Sequence, residues 1–358
     1  EMKKRGISFQ EAQKAATHHV VFTNHTLVPA GNEIFSYELF ALMLEKYALD
    51  LEVPVIELAM LGNIPDVHSV SLSLFGLHFA GKINAVSKLH AEEAEKTWSG
   101  YTFEYVTNGI HLPTWDKRPE GVSLQEAHTT HKKKLLEYIK EKTGEEWAEQ
   151  TLLLGWARRM VPYKRPLALF GELERFKEIA TNTNHPVKVV MTGIAHQGDN
   201  EGREIIRKLH TLAENELAHM LVFLPTYSTT VAKLLTSGCD IWLNTPVVGS
   251  EACGTSGMKA CLNGVLPCTT KDGWVYEIDI PKVGWEVQSD KISNSILDCL
   301  ENDIVPAYYA EDHAVWHEKM EHARSLIENE YSATRMLREY FEKLYLPIIH
   351  ASYEHYSS

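Results

Sequence analysis

The sequence predicts an α/β protein, a doubly wound parallel sheet accompanied by part of a second, amino-terminal domain. Three observations predict it. From Leu152 onward short apolar runs alternate with helix-like stretches, a rhythm that implies right-handed crossovers between parallel strands. The region before Trp115 breaks that rhythm, with helix-like stretches set among turn-rich loops. A chain of 358 residues with 44% hydrophobic content buries a large core and is ordinarily two domains or one large one.

Taken in order, the amino-terminal region carries helix-like stretches at Ile34 to Lys46 and Ser71 to Lys96. Ser123 followed by Glu126 is a capping box ahead of a helix to about Lys142, with its charged face solvated. Leu152 to Ala157, Val187 to Thr192, Met220 to Leu224, Asp240 to Asn244 and Val265 to Thr269 are expected as buried parallel strands. Pro166 suits the first turn of a helix to about Ile179, and Asp199 suits the cap of one to about Glu216. The tail from Ala310 to Tyr345 is expected as two amphipathic helices broken at Tyr331 and Ser332. The expected divisions are 1–108, 109–330 and 331–358, the last a helix packing back toward the amino-terminal part.

Lys and Arg number 35 against 48 Asp and Glu, a formal charge of −13. That balance argues against nucleic acid and anionic membranes as partners, so any phosphate must be held locally. No apolar run approaches the roughly 18 residues of a membrane span. The five cysteines are odd in number and form no CxxC pair, which points to reduced, buried thiols and a cytoplasmic location. Glu1 precedes Met2, so a truncated or processed chain is expected.

In a doubly wound sheet the chemistry lies beyond the carboxyl ends of the strands. After the strand at Asp240 to Asn244 comes Glu251-Ala-Cys253-Gly254-Thr255-Ser256-Gly257-Met-Lys259-Ala-Cys-Leu-Asn263-Gly264. Glycines flanking a Thr-Ser pair at a helix start make a nest of backbone amides for an anion. Lys259 lies about one turn inside, where an amine near other cations loses its proton and condenses with an aldehyde. Taken alone, this stretch favours a Gly-rich turn with a surface lysine, since it is neither a Walker loop nor GxGxxG. At the end of the strand at Leu152 to Ala157, Arg158, Arg159, Lys164 and Arg165 put four cations in eight positions, a clamp for an anionic substrate. Thr23 to Gly31 and Val106 to His111 offer Asn and His side chains able to hydrogen-bond sugar hydroxyls, although as isolated features such residues are more often turn formers or satisfied core groups. His317 and His322 do not form a zinc motif: five positions apart, they lie roughly 140° around a helix. No metal site is expected.

In this order, FTNHTLVPAG, VTNGI with the following Trp115, ARRMVPYKRP and EACGTSGMKACLNG resemble the α-glucan (glycogen or maltodextrin) phosphorylase family, most of all its shorter bacterial and archaeal branch. The resemblance runs from about Thr17 to Tyr345. It implies the two-domain GT-B fold, in which the sheet is Rossmann-like, and pyridoxal 5′-phosphate attached as a Schiff base to Lys259. It implies phosphorolysis of α-1,4-glucan to glucose 1-phosphate with retention, the cofactor's phosphate exchanging a proton with inorganic phosphate. By the same carry-over Arg159 and Lys164 hold the substrate phosphate and Arg158 the cofactor phosphate, with Thr255, Gly254 and their amides assisting. His25, Asn108, Glu251 and Cys253 match positions around the glucosyl unit, and Trp115 and Tyr227 match groups packed around the cofactor.

Two departures bear on substrate preference: Cys253 stands where many relatives carry Ser, and Gly257 where the longer enzymes carry Asn. No Gly-rich acceptor loop of the family's amino-terminal domain is found. The expectation is therefore a fragment or one half of a split enzyme, inactive or weak alone, with a second copy or a complementing amino-terminal chain as partner. Two other readings stand beside it. One is a sugar-nucleotide glycogen synthase without pyridoxal phosphate; the other is a non-catalytic glucan-binding partner.

Overall fold

The computed structural model describes residues 2–64 and 68–357. It divides into two compact units, Glu1–Asn108 with Thr334–Ser358, and Gly109–Ala333.

Among its described residues the first unit contains six short strands, β1 (Val21–Thr23), β2 (Ile34–Ser36), β3 (Asn63–Ile64), β4 (Ser69–Ser71), β5 (Lys82–Ala85) and β6 (Glu104–Tyr105). A parallel sheet has the order β1-β5-β6 and an antiparallel one the order β2-β4-β3. The helix expected from Ile34 instead begins at Tyr37, because Ser36 caps it by accepting the Leu39 N–H while Ile34–Ser36 pairs with β4. The stretch Ser71 to Lys96 is not one helix either. It splits into helices Leu72–Phe79 and Lys88–Thr97 around β5, each started by a serine cap, Ser71 and Ser87. Between them Gly81 passes so close to the backbone that a Cβ would lie 2.1 Å from the Thr17 carbonyl oxygen. Helix Ala333–Tyr340 follows the expected break and brings Tyr340 and Leu344 against Val106. Asn84 donates to the Tyr340 hydroxyl at 3.2 Å.

The second unit is built on β7 (Leu152–Arg159), β8 (Val187–Ile194), β9 (Leu221–Phe223), β10 (Ile241–Asn244), β11 (Leu266–Thr269) and β12 (Trp285–Glu286). All pairs are parallel, in the order β12-β11-β10-β7-β8-β9. The five expected strands are present. The sixth, β12, is two residues long and too short to leave a periodic signal. The order reverses between β7 and β10, so consecutive crossovers leave the sheet on opposite faces and a crevice opens at the carboxyl ends of these two strands.

Strand β7 outlasts the apolar run: its ladder with β8 continues to Arg159↔Ile194, which puts Arg158 and Arg159 on the strand rather than in the loop. Pro166 does not start a helix. Arg165 adopts a left-handed φ of 48°, and its guanidinium donates to the Ser289 carbonyl (2.7 Å) and hydroxyl (2.9 Å), so the chain makes two short 3₁₀ turns before the helix Leu173–Ala180. Asp199 does cap the helix Asn200–Glu214.

Helix Leu124–Thr143 has its capping box, but its charged face is not wholly solvated. Lys132 and His128 are buried. Lys132 Nζ donates to the Thr151 carbonyl, to Asp240 Oδ2 and to the Tyr308 hydroxyl, each at 2.6 Å, and His128 Nε2 lies 3.1 Å from Asp240 Oδ1. No carboxylate lies three or four positions from His128 in the sequence; its partner comes from 112 positions away. No helix among the described residues is long and apolar enough to cross a membrane.

Candidate functional site

The helix Thr255–Leu262 begins just past β10 at the sheet's reversal point. Gly254, at its amino-terminal end, has a φ of +83°, and no side chain caps the helix. The first amides of a helix lack intrahelical partners and carry the positive end of its dipole, so this end attracts an anion. Lys259 follows one turn inside. Its Nζ stands 4.2 Å from the centroid of the Trp115 ring, and burial alone draws its pKa down, with no carboxylate contributing.

The ring beneath it is a fixed platform. Asn263 donates to the Trp115 carbonyl (2.9 Å) and to that of Lys259 (2.8 Å), and its Oδ1 accepts the Lys117 N–H (2.9 Å). Buried Arg324 pairs with Asp116 at 2.6 Å.

A second cluster centres on Glu251. Lys164 Nζ donates to both carboxylate oxygens (2.7 and 3.1 Å), and Arg158 Nη1 lies 3.3 Å from Oε2 without the alignment of a hydrogen bond. Burial pushes the Glu251 carboxyl up, but Arg158 and Lys164 outweigh it and hold the group below its usual range. Burial and neighbouring Arg158 lower the Lys164 ammonium to about 8 despite Glu251. Two cations face one carboxylate here, and exposed Arg159 adds a third at the rim. The uncompensated charge is positive, so the cluster favours an anion.

The remaining expected residues are distributed as follows. Thr255 is half-buried at the first helical position, and Cys253 is buried with its carbonyl accepting the Trp274 N–H at 3.0 Å. Tyr227 packs, partly buried, on the core cluster that holds Trp242 and Ala260. His25 is exposed on the loop after β1; Asn108 is half-buried, donating from its amide to Val86 at 3.1 Å and accepting from Arg335 at 3.2 Å. Those two belong to the first unit, the others to the second.

Sequence reasoning missed four residues. Ser256 accepts from Trp242 Nε1 at 3.2 Å; Asn263 clamps Trp115; Asp272 accepts the Glu251 N–H at 2.9 Å; and the Trp274 indole occupies the space beside Gly257, where a Cβ would lie 3.3 Å from Nε1. A signal for Asp272 existed in the Asp-Gly turn after an expected strand, at the carboxyl edge where ligands collect. Gly273 in that turn has a φ of +56°, and a Cβ on it would lie 2.3 Å from the Cys253 carbonyl oxygen. Gly273→Ala is expected to cost about 2–4 kcal/mol, from left-handed strain plus a backbone clash, read as a lower urea midpoint at unchanged slope.

The residues fit an anionic cofactor anchored on an amine. Lys259 is half-buried and unneutralised by any carboxylate, the helix end is uncapped, and Arg158 Nη1, Asn244 Oδ1 and Thr245 Oγ1 are buried without hydrogen-bond partners at the ends of β7 and β10. Among the described residues no three His, Cys, Asp or Glu side chains gather as a metal cluster.

The chain is 31% identical to a glycogen phosphorylase of Aquifex aeolicus over 97% of its own length and 60% of that relative's. It is 31% identical to a maltodextrin phosphorylase of Thermococcus litoralis over 96% of its length and 48% of the relative's. A glycogen phosphorylase of Mycobacterium tuberculosis matches at 28% with the same coverage of 96% and 48%. The chain thus spans about half to three-fifths of the relatives it matches. The carbohydrate phosphorylase profile matches residues 116–351, which contain Lys259, Glu251 and both basic positions of β7, and the chain belongs to the carbohydrate phosphorylase family.

Proposed function

We propose that the chain carries the cofactor and phosphate side of an α-glucan phosphorylase of GT-B type, releasing glucose 1-phosphate from an α-1,4-glucan with retention. The observation that carries this reading is the Lys259 amine, half-buried on the Trp115 face and one turn inside an uncapped helix. Pyridoxal phosphate held on Lys259 would supply a phosphate group that passes a proton to and from the substrate phosphate.

The chain's own residues supply the rest. Arg158 and the amides at Gly254 and Thr255 would bind the cofactor phosphate. Lys164 and Arg159 would bind the substrate phosphate, so that two anions are held close together without prohibitive repulsion. Glu251, with Cys253 beside it, would orient the glucosyl unit, while Trp115 and Tyr227 would exclude water from the ring. His25 and Asn108 are proposed to hydrogen-bond glucosyl hydroxyls.

The test is the absorbance spectrum of the purified chain with pyridoxal phosphate, before and after borohydride, with peptide mapping for a modified Lys259. A label on another lysine, or none, would sink the proposal. A pH limb follows from Lys164. Its pKa is depressed to about 8, so its charge is present below that pH and lost above it. Glucose 1-phosphate affinity is therefore expected to fall by up to about tenfold per pH unit above 8, and Lys164→Met should remove that limb.

A further inference from the structure

Asp272 is 1% exposed and lies on the turn after β11, at the carboxyl edge of the sheet that bears the site. Backbone amides meet its charge. Oδ2 accepts the Glu251 N–H at 2.9 Å, Oδ1 accepts the Gly273 N–H at 2.8 Å, and the Gly249 amide also bonds to it. Its neighbour Trp274 donates to the Cys253 carbonyl at 3.0 Å. Residues 249–253 are thus gripped on both sides of Glu251 by one turn, while Ser250 donates back to the Val247 carbonyl at 3.0 Å and Val247 to that of Tyr163 at 2.8 Å.

We infer that Asp272 is the positioning residue of this site: by accepting the Glu251 amide, its carboxylate holds the Glu251 side chain between Arg158 and Lys164 and so sets the affinity for a sugar phosphate. The inference rests on the proposed function for its ligand, though not for its geometry. A carboxylate is needed because both oxygens accept from amides. An asparagine would turn an NH₂ toward one of those N–H groups, and a proton on the acid would do the same.

Burial raises Asp272 to about 6, the amide bonds opposing the rise and the Glu251 charge adding to it. The titratable groups facing it are Glu251 and Tyr163, with Arg158, Arg159 and Lys164 beyond Glu251. Glu251 titrates below its usual range, Lys164 near 8 and Tyr163 near 12, so between pH 5 and 7 Asp272 is the member of this group that changes charge.

The experiment is calorimetric binding of glucose 1-phosphate to the full chain treated with pyridoxal phosphate, from pH 5 to 7.5, for the wild type and Asp272→Asn. The ligand's own second ionisation, near 6, is common to both proteins, so their difference isolates Asp272. The expected result is about tenfold weaker binding by the variant at pH 7, with the difference shrinking toward pH 5. Equal affinity with the same pH dependence overturns the inference, and a constant difference at every pH reduces Asp272 to a structural role. A second arm needs no ligand and no variant: hydrogen exchange of the Glu251 amide in the wild type, corrected for intrinsic rates. Protection should fall between pH 7 and 5, and unchanged protection overturns the inference even where Asp272→Asn does not fold. A wild type that binds no glucose 1-phosphate overturns the proposed function, while the exchange arm still decides whether Asp272 holds Glu251.

Discussion

Lys259→Ala is expected to abolish retention of pyridoxal phosphate while leaving the fold intact. The two effects separate because of what the amine does in the structure. Its contact is the Trp115 face at 4.2 Å, and no carboxylate influences its ionisation. A cation over an aromatic ring contributes about 0.5–1 kcal/mol at a half-exposed position, so the variant's urea midpoint should hardly move. The same desolvation favours the uncharged amine, the form that covalent capture of an aldehyde requires. Alanine removes the only atom that could make that bond. The pyridoxal band and the borohydride-fixed label should vanish, and any phosphate-dependent sugar release should fall by about 10⁴-fold or more, the scale seen when one member of a catalytic unit is lost. A variant that keeps the band at wild-type occupancy would place the anchor elsewhere.

The parts of this site that were legible in the sequence are those carried by contiguous residues. The five apolar runs announced β7 to β11, and the rule that ligands gather at carboxyl strand ends pointed directly at Arg158 and at the helix with Lys259. What local patterns could not show is pairing between distant segments. The Glu251 motif gives no hint that Arg158 and Lys164, some 90 positions earlier, close on its carboxylate, nor that Asp272 takes its amide. Pro166 misled because a proline's preference for a first helical turn is weak beside the left-handed Arg165 and its two bonds to Ser289. Ile34 and Ser71 misled because apolar residues two to four apart suit both a short strand and a helix, and only the caps at Ser36, Ser71 and Ser87 decide where each helix begins. Lys132 lies on the helix whose charged face is expected to be solvated, although it is buried.

That lysine supplies the other large effect. Lys132→Met is expected to destabilise the second unit by about 3–5 kcal/mol at pH 7, because it leaves Asp240 buried without its cation. Burial pushes the Asp240 carboxyl up, but Lys132 and His128 outweigh it and hold the group below its usual range. A carboxylate depressed by folding contributes stability that is present above its unfolded pKa of about 3.9 and lost as pH falls through the lower folded value. In the variant the depressing cation is gone and burial dominates, so Asp240 protonates more readily folded than unfolded. The gap between the two proteins should therefore be widest near pH 7 and narrow toward pH 4, which urea midpoints at the two pH values would measure. Adding Asp240→Asn to Lys132→Met should restore part of the loss, since the buried charge is then removed. The consequence reaches the candidate site because β10 pairs with β7 at only two positions, Ile241↔Leu154 and Trp242↔Gly155. Asp240 extends that short ladder through its own amide to the Leu153 carbonyl (2.9 Å) and through Oδ2 to the Leu153 N–H (2.8 Å). The cation that holds Asp240 ionised thus fixes the register of the two strands whose far ends carry Arg158 and lead to Glu251. A gap below about 1 kcal/mol, or one that does not change with pH, would show that the ladder holds without it.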